Sequence, residues 1–164
     1  VKQKNISEII QIAKLLPNIN FLIVGDGELW DSINKEIFES EIININLIGR
    51  KKNVFKYIYQ SDIYLSTSLY EGLPISILES MSIGIPIVAS NVIGNSDTIE
   101  NYKSGFLYDL HNLDMAAVYL NRLAKDYKLR EVTGKNAFKR QRDIFSLNNM
   151  ILKYQILYQE IFLG

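Results

Sequence analysis

Five short apolar runs punctuate the chain, and each breaks off at a glycine or a polar loop. Phe21-Leu22-Ile23-Val24 stops at Gly25, and Ile45-Asn46-Leu47-Ile48 stops at Gly49. Ile63-Tyr64-Leu65-Ser66, Pro86-Ile87-Val88-Ala89 and Gly105-Phe106-Leu107-Tyr108 follow. An uninterrupted apolar run this short suits a strand covered on both faces. Between the runs, apolar residues recur at helical spacing. Ile6, Ile9, Ile10, Ala13 and Leu16 make one such stripe, closed by Pro17. The pattern predicts strands at 21–24, 45–48, 62–66, 86–89 and 105–108. It predicts helices at 6–16, about 29–38, 54–60, 75–83 and 96–101, then three more at about 113–125, 127–142 and 146–162. Strands that alternate with helices build βαβ crossovers. The expected fold class is therefore α/β, a Rossmann-like parallel sheet with helices on both faces.

Composition narrows the function. With 164 residues, 48% hydrophobic and 22% charged, the chain reads as one folded domain, 1–164, and not as a disordered segment. Zero net charge provides no field that would draw it to nucleic acid. The absence of cysteine excludes disulfides and thiolate zinc sites. The single histidine, His111, cannot make a His-rich metal site and is expected in a surface turn. No apolar run reaches the roughly 18 residues that span a bilayer. Val1-Lys2-Gln3-Lys4-Asn5 is not a signal peptide, and the lack of an initiating methionine suggests a start part way into a longer chain. The stripe Tyr154, Leu157, Tyr158 and Ile161 on the last helix reads first as core. If it is exposed, a homodimer of the fragment is expected instead.

Ligands of parallel sheets bind at the carboxyl ends of the strands, so the loops there matter most. The first run ends in Gly25-Asp26-Gly27, where two glycines would let a backbone approach a ligand or form an ordinary tight turn. The second ends in Gly49-Arg50-Lys51-Lys52, a cationic stretch that could meet a nucleotide or face solvent. The third leads through Ser66-Thr67-Ser68-Leu69-Tyr70 into Glu71-Gly72-Leu73-Pro74-Ile75-Ser76-Ile77-Leu78-Glu79. Pro74 suits the first turn of a helix and Gly84 the left-handed position after its end. The amides around Leu73, Ile75 and Ser76 are then unpaired and attract an anion such as a diphosphate. A glutamate on each side cannot bind phosphate but can accept hydrogen bonds from sugar hydroxyls. The three parts together describe a site for a nucleoside-diphosphate sugar. A capping charge and a surface glutamate are the plainer alternative.

Glu71 to Glu79 resembles the E-x7-E motif of retaining glycosyltransferases with the GT-B fold. The surrounding segments resemble glycosyltransferase family 4, the group 1 glycosyltransferases, in the family's order: Val24-Gly25-Asp26-Gly27, Ile48-Gly49, Ser66 to Pro74, Leu78-Glu79-Ser80-Met81, Gly84 to Ser90, Gly94-Asn95 and Ser104-Gly105-Phe106-Leu107. The resemblance implies that this chain is the carboxyl-terminal, donor-binding domain of a two-domain enzyme. It implies that Glu79 holds the ribose and Glu71 the transferred sugar, while the backbone of Gly72, Leu73, Pro74 and Ile75 forms the loop around the diphosphate, with its N–H groups, which Pro74 lacks, toward the donor. The loop after Gly49 would lie against the base, and Lys4 would face the diphosphate, with Asn5 where glycine is more usual. An arginine partner would precede Val1. The implied donor is UDP-linked, with no metal and no other cofactor, and the implied setting is bacterial surface polysaccharide synthesis. An amino-terminal acceptor domain is the implied partner, cytoplasmic or at the cytoplasmic face of the inner membrane. The first strand of the sheet would also be absent, leaving strands 21–24 and 62–66 to close together or to receive another segment. Two alternatives stay open: a non-catalytic nucleotide-binding module, and a sugar-nucleotide epimerase of GT-B type.

Overall fold

The computed structural model of the chain describes residues 2–163. Helices and strands alternate as the apolar runs predict: α1 (Ile6–Leu15), β1 (Phe21–Ile23), α2 (Trp30–Glu39), β2 (Ile45–Leu47), α3 (Phe55–Tyr59), β3 (Tyr64–Ser66), α4 (Ile75–Ser82), β4 (Ile87–Ser90), α5 (Asn95–Thr98) and β5 (Phe106–Tyr108). Three helices finish the chain, α6 (Leu113–Lys125), α7 (Tyr127–Arg140) and α8 (Leu147–Leu163). A wide π turn over Gln141–Phe145 separates the last two. Every strand pair is parallel, with Phe21 opposite Ile45, Tyr64 opposite Ile87 and Val88 opposite Phe106.

The expected single sheet is divided into β1-β2 and β3-β4-β5. Among the described residues β1 and β3 neither pair with each other nor receive a strand between them. One core nonetheless touches both pieces. Ile10 and Ile12 of α1 join Phe21 and Ile45 from the first sheet with Val88 and Phe106 from the second.

Side chains alternate across β4. Val88 faces the core filled by α1 and α6, while Ile87 and Ala89 face a second core with Ile77 and Met81 of α4 and Ala137 of α7. All four β4 residues are buried, as a strand covered on both faces must be. Asn44, just before β2, donates its side-chain amide to the carbonyl oxygens of Ala13, Leu16 and Ile19. The Asn44 amide thus ties the start of β2 to the end of α1 and the turn after it, where Ala13 O and Leu16 O also accept the N–H groups of Leu16 and Ile19.

Helix ends follow the sequence signals in two places. Gly84 takes φ 75°, its N–H donates to Met81 O, and Ile85 N–H donates to Ser80 O, which closes α4. Ser146 accepts from Asn149 N–H and starts α8. Two expectations need correction. Helix α5 ends at Thr98, not 101, because the backbone extends at Ile99, and the Arg140 guanidinium takes the carbonyls of Asp97 and Thr98. The stripe Tyr154, Leu157, Tyr158 and Ile161 is exposed and is not core. Helix α8 leaves both cores after Ser146, and its start is tethered by the Asn149 amide to the carbonyls of Arg142 and Asp143.

Candidate functional site

Helix α4 begins at the loop that follows β3. Ile77 and Leu78 return their N–H groups to Pro74 O, and no side chain caps the helix. The amides of Ile75 and Ser76 come too early in the helix to have an acceptor in its own ladder. Together with the helix dipole they favour an anion. Glu71 stands just before this end and Glu79 lies one turn inside it.

Glu71 is held from several sides. Lys4 Nζ lies 2.6 Å from its Oε1, and the Ser68 hydroxyl donates to the same oxygen at 2.7 Å. The Gln3 amide donates to Tyr70 O at 2.8 Å and reaches Glu71 Oε2 at 3.5 Å. The Glu71 side chain is 8% exposed and that of Lys4 46%. The carboxylate is therefore fixed, while the ammonium keeps two of its three donors for another anion. The Lys4 segment is pinned by its backbone as well. Leu69 N–H donates to Gln3 O, and the Thr67 hydroxyl donates to Lys4 O and Asn5 O. Residues 3–5 thus lie along the segment that leaves the carboxyl end of β3.

Tyr64 of β3 packs against the core under α4. Burial raises its hydroxyl above the ordinary phenol range; the Ser76 hydroxyl pulls it back, and the Glu71 and Glu79 carboxylates add to the rise. The Tyr64 hydroxyl there stays neutral. Behind the loop, Gly94 has φ 79°, and a Cβ at this position would come 2.6 Å from Glu71 O and 2.7 Å from Gly72 O. The loop carrying Gly94 therefore supports the loop carrying Glu71.

The remaining expected residues form a second group. Gly25 N–H donates to Gly49 O at 3.0 Å, so the loops after β1 and β2 are joined. Gly25 and Gly27 both have φ 146° and Gly49 has φ 68°, conformations that favour glycine. Arg50 is exposed beside them. Among the described residues no hydrogen bond or ion pair links this group to Lys4 and Glu71. The arginine expected before Val1 lies outside the described residues.

Sequence reading did not single out Gln3, Ser68, Tyr64 or Gly94 as parts of the site. Ser68 and Gly94 stood in recognisable segments, but only folding shows what they touch. Nothing in the sequence connects Gln3 to Glu71, 68 positions away.

In a parallel α/β layer ligands bind at the carboxyl edge of the strands, and the uncapped start of α4 lies at that edge. Residues 1–140 match the family described as Glycosyl transferases group 1, and the chain belongs to that family. It is 31% identical over 147 residues to the UDP-Gal:alpha-D-GlcNAc-diphosphoundecaprenol alpha-1,3-galactosyltransferase of Escherichia coli, covering 88% of this chain and 38% of that one. It is 27% identical over 167 residues to the capsular polysaccharide biosynthesis glycosyltransferase CapM of Staphylococcus aureus, covering 98% and 42%. The fold matches S. aureus TarM, solved as a point mutant in complex with fondaparinux, alpha-GlcNAc-glycerol and UDP, at a TM-score of 0.90 and 29% identity, over 96% of this chain and 33% of that one. The solved neighbours are GT-B glycosyltransferases. The chain spans about two fifths of the length of these two curated relatives. Among the described residues no helix is long and apolar enough to cross a membrane.

Proposed function

We propose that this chain is the donor-binding half of a glycosyltransferase of family 4 that moves a hexose from a UDP-sugar to a hydroxyl acceptor with retention of configuration. The observation that carries the reading is the uncapped start of α4 between Glu71 and Glu79, with Lys4 2.6 Å from Glu71. In this reading Glu79 accepts from the ribose hydroxyls and Glu71 from those of the sugar. The amides of Gly72, Leu73, Ile75 and Ser76 and the free donors of Lys4 surround the diphosphate. Gly25, Gly27, Gly49 and Arg50 line the side where the base lies.

When the bond from the anomeric carbon to the diphosphate oxygen breaks, its electron pair stays on UDP. Lys4 and the helix amides are already aimed at that growing charge, so they act mainly on the transition state. This arrangement requires no metal. The acceptor and its half of the cleft come from a separate amino-terminal domain, and the exposed face of α8 is available to it. The names of the relatives support bacterial surface polysaccharide synthesis as the setting, and the cytoplasmic side of the inner membrane is the location proposed for it.

Calorimetry with UDP and kinetics on the full-length enzyme test this. The reading expects UDP to bind, Glu79→Ala to weaken that binding at least about tenfold, and Glu71→Gln to lower turnover more than affinity. Unchanged turnover in Glu71→Gln would refute the site. A changed sugar nucleotide formed without acceptor would favour the epimerase alternative. UDP binding with no transfer to any hydroxyl acceptor would favour the binding module.

A further inference from the structure

Behind the Lys4–Glu71 pair lies a carboxylate that the chemistry above leaves unused. Glu8 is in the first turn of α1, and its side chain is 3% exposed. Buried carboxylates survive only when their oxygens are supplied with donors. Glu8 has them: the Tyr108 hydroxyl donates at 2.9 Å, Asn5 Nδ2 donates at 2.8 Å, and His111 Nδ1 lies 3.2 Å away. Burial, and then the Glu8 carboxylate itself, push the Tyr108 hydroxyl well above the ordinary phenol range, so it remains a donor. Tyr108 is at the end of β5 and His111 is in the turn beyond it, at φ 67°. Donors from two separate segments, the turn before α1 and the end of β5, thus converge on one acidic side chain.

The Asn5 contact is the informative one. Asn5 has φ 49° and ψ 51°, a left-handed conformation that costs most side-chain-bearing residues energy and that asparagine tolerates better than most, though less well than glycine. Its amide does not cap α1, although asparagine commonly does so from this position. The amide points instead to Glu8. The left-handed step at Asn5 turns the chain out of α1 into the segment that carries Gln3 and Lys4. That segment meets Leu69, Thr67 and Glu71.

We propose that Glu8 is a positioning residue: through the Asn5 side chain it holds the left-handed turn that brings Lys4 to Glu71 and to the donor diphosphate. The proposal rests on the donor-site reading for its consequence in binding, but the turn itself can be measured without a ligand.

Two readouts on the full-length protein separate the cases. One is hydrogen–deuterium exchange of the peptide carrying Leu69, whose N–H is bonded to Gln3 O. The other is UDP affinity by calorimetry. Glu8→Ala is expected to speed exchange at Leu69 about tenfold and to weaken UDP at least about fivefold, as expected when a hydrogen bond to a charged group is lost. Glycine adopts φ 49° without help. In an Asn5→Gly background, Glu8→Ala should therefore change neither readout. Glu8→Gln, which keeps the volume and folds if the alanine variant does not, should give a smaller loss that Asn5→Gly also removes. Equal losses in both backgrounds would show that Glu8 acts only through packing and would overturn the proposal. Unchanged Leu69 exchange in Glu8→Ala would do the same. A protein that never binds UDP would refute the donor reading alone, and the exchange measurement would still decide the role of Glu8.

Discussion

Replacing Gly94 by alanine should loosen the site by pushing on the backbone of Glu71 and Gly72 while leaving every ligand-binding side chain in the chain unchanged. Two costs combine. The φ of 79° disfavours a side chain by about 1–2 kcal/mol. The new Cβ would also stand 2.6 Å from Glu71 O and 2.7 Å from Gly72 O. Carbon and carbonyl oxygen ordinarily meet at about 3.3–3.6 Å, so one loop must retreat by about 0.7 Å. Such overpacking costs about 1–3 kcal/mol. A total of about 2–5 kcal/mol corresponds to a drop in Tm of about 5–15 °C for a domain of this size. The retreat carries Glu71 away from Lys4, so UDP affinity should fall as well. Scanning calorimetry and UDP titration measure both. Gly72→Ala is the control for stability, because a Cβ there meets nothing within 4 Å and φ is not positive. Its Tm should move by no more than about 2 °C. Equal Tm values for the two variants would refute the account of Gly94 as a support.

Gly134→Ala sets local propensity against packing. Alanine in a helix interior usually gains about 1 kcal/mol over glycine, yet a Cβ here would overlap the Gly84 carbonyl oxygen, where α7 crosses the end of α4. A lower midpoint in urea unfolding is expected, and a higher one would show that the helices can separate freely. Asn44→Ala removes the amide that serves three carbonyls at the end of α1 and in the turn after it, and should destabilise the fold by about 1–3 kcal/mol in the same assay. A shift below about 0.5 kcal/mol would mean that water replaces it.

Much of the fold was legible because its signals are local. Short apolar runs that end at glycine, and helical stripes closed by Pro17 and Gly84, depend on residues within a few positions of each other. The start of α4 was legible for the same reason, since Pro74 and the two glutamates sit within one segment. The π turn at 141–145, the early end of α5 and the exposure of α8 were not, because each is decided by what lies across the fold. An apolar stripe states that a face can be buried. It does not state whether anything in the chain covers it.

The sequence by itself determined the alternation of strands and helices, the parallel sheet it implies, and the segment in which a diphosphate site could form. Those follow from period, punctuation and the chemistry of neighbouring residues. Tertiary structure alone decided that the sheet is divided, since strand pairing is a choice among distant edges. It alone placed Gln3, Lys4 and Ser68 around Glu71, set Gly94 behind it, and buried Glu8 beneath Asn5. Each of these except the Ser68 and Asn5 contacts joins residues more than 20 positions apart. Such contacts are fixed by the packing of the two cores and have no signature in any short stretch of sequence.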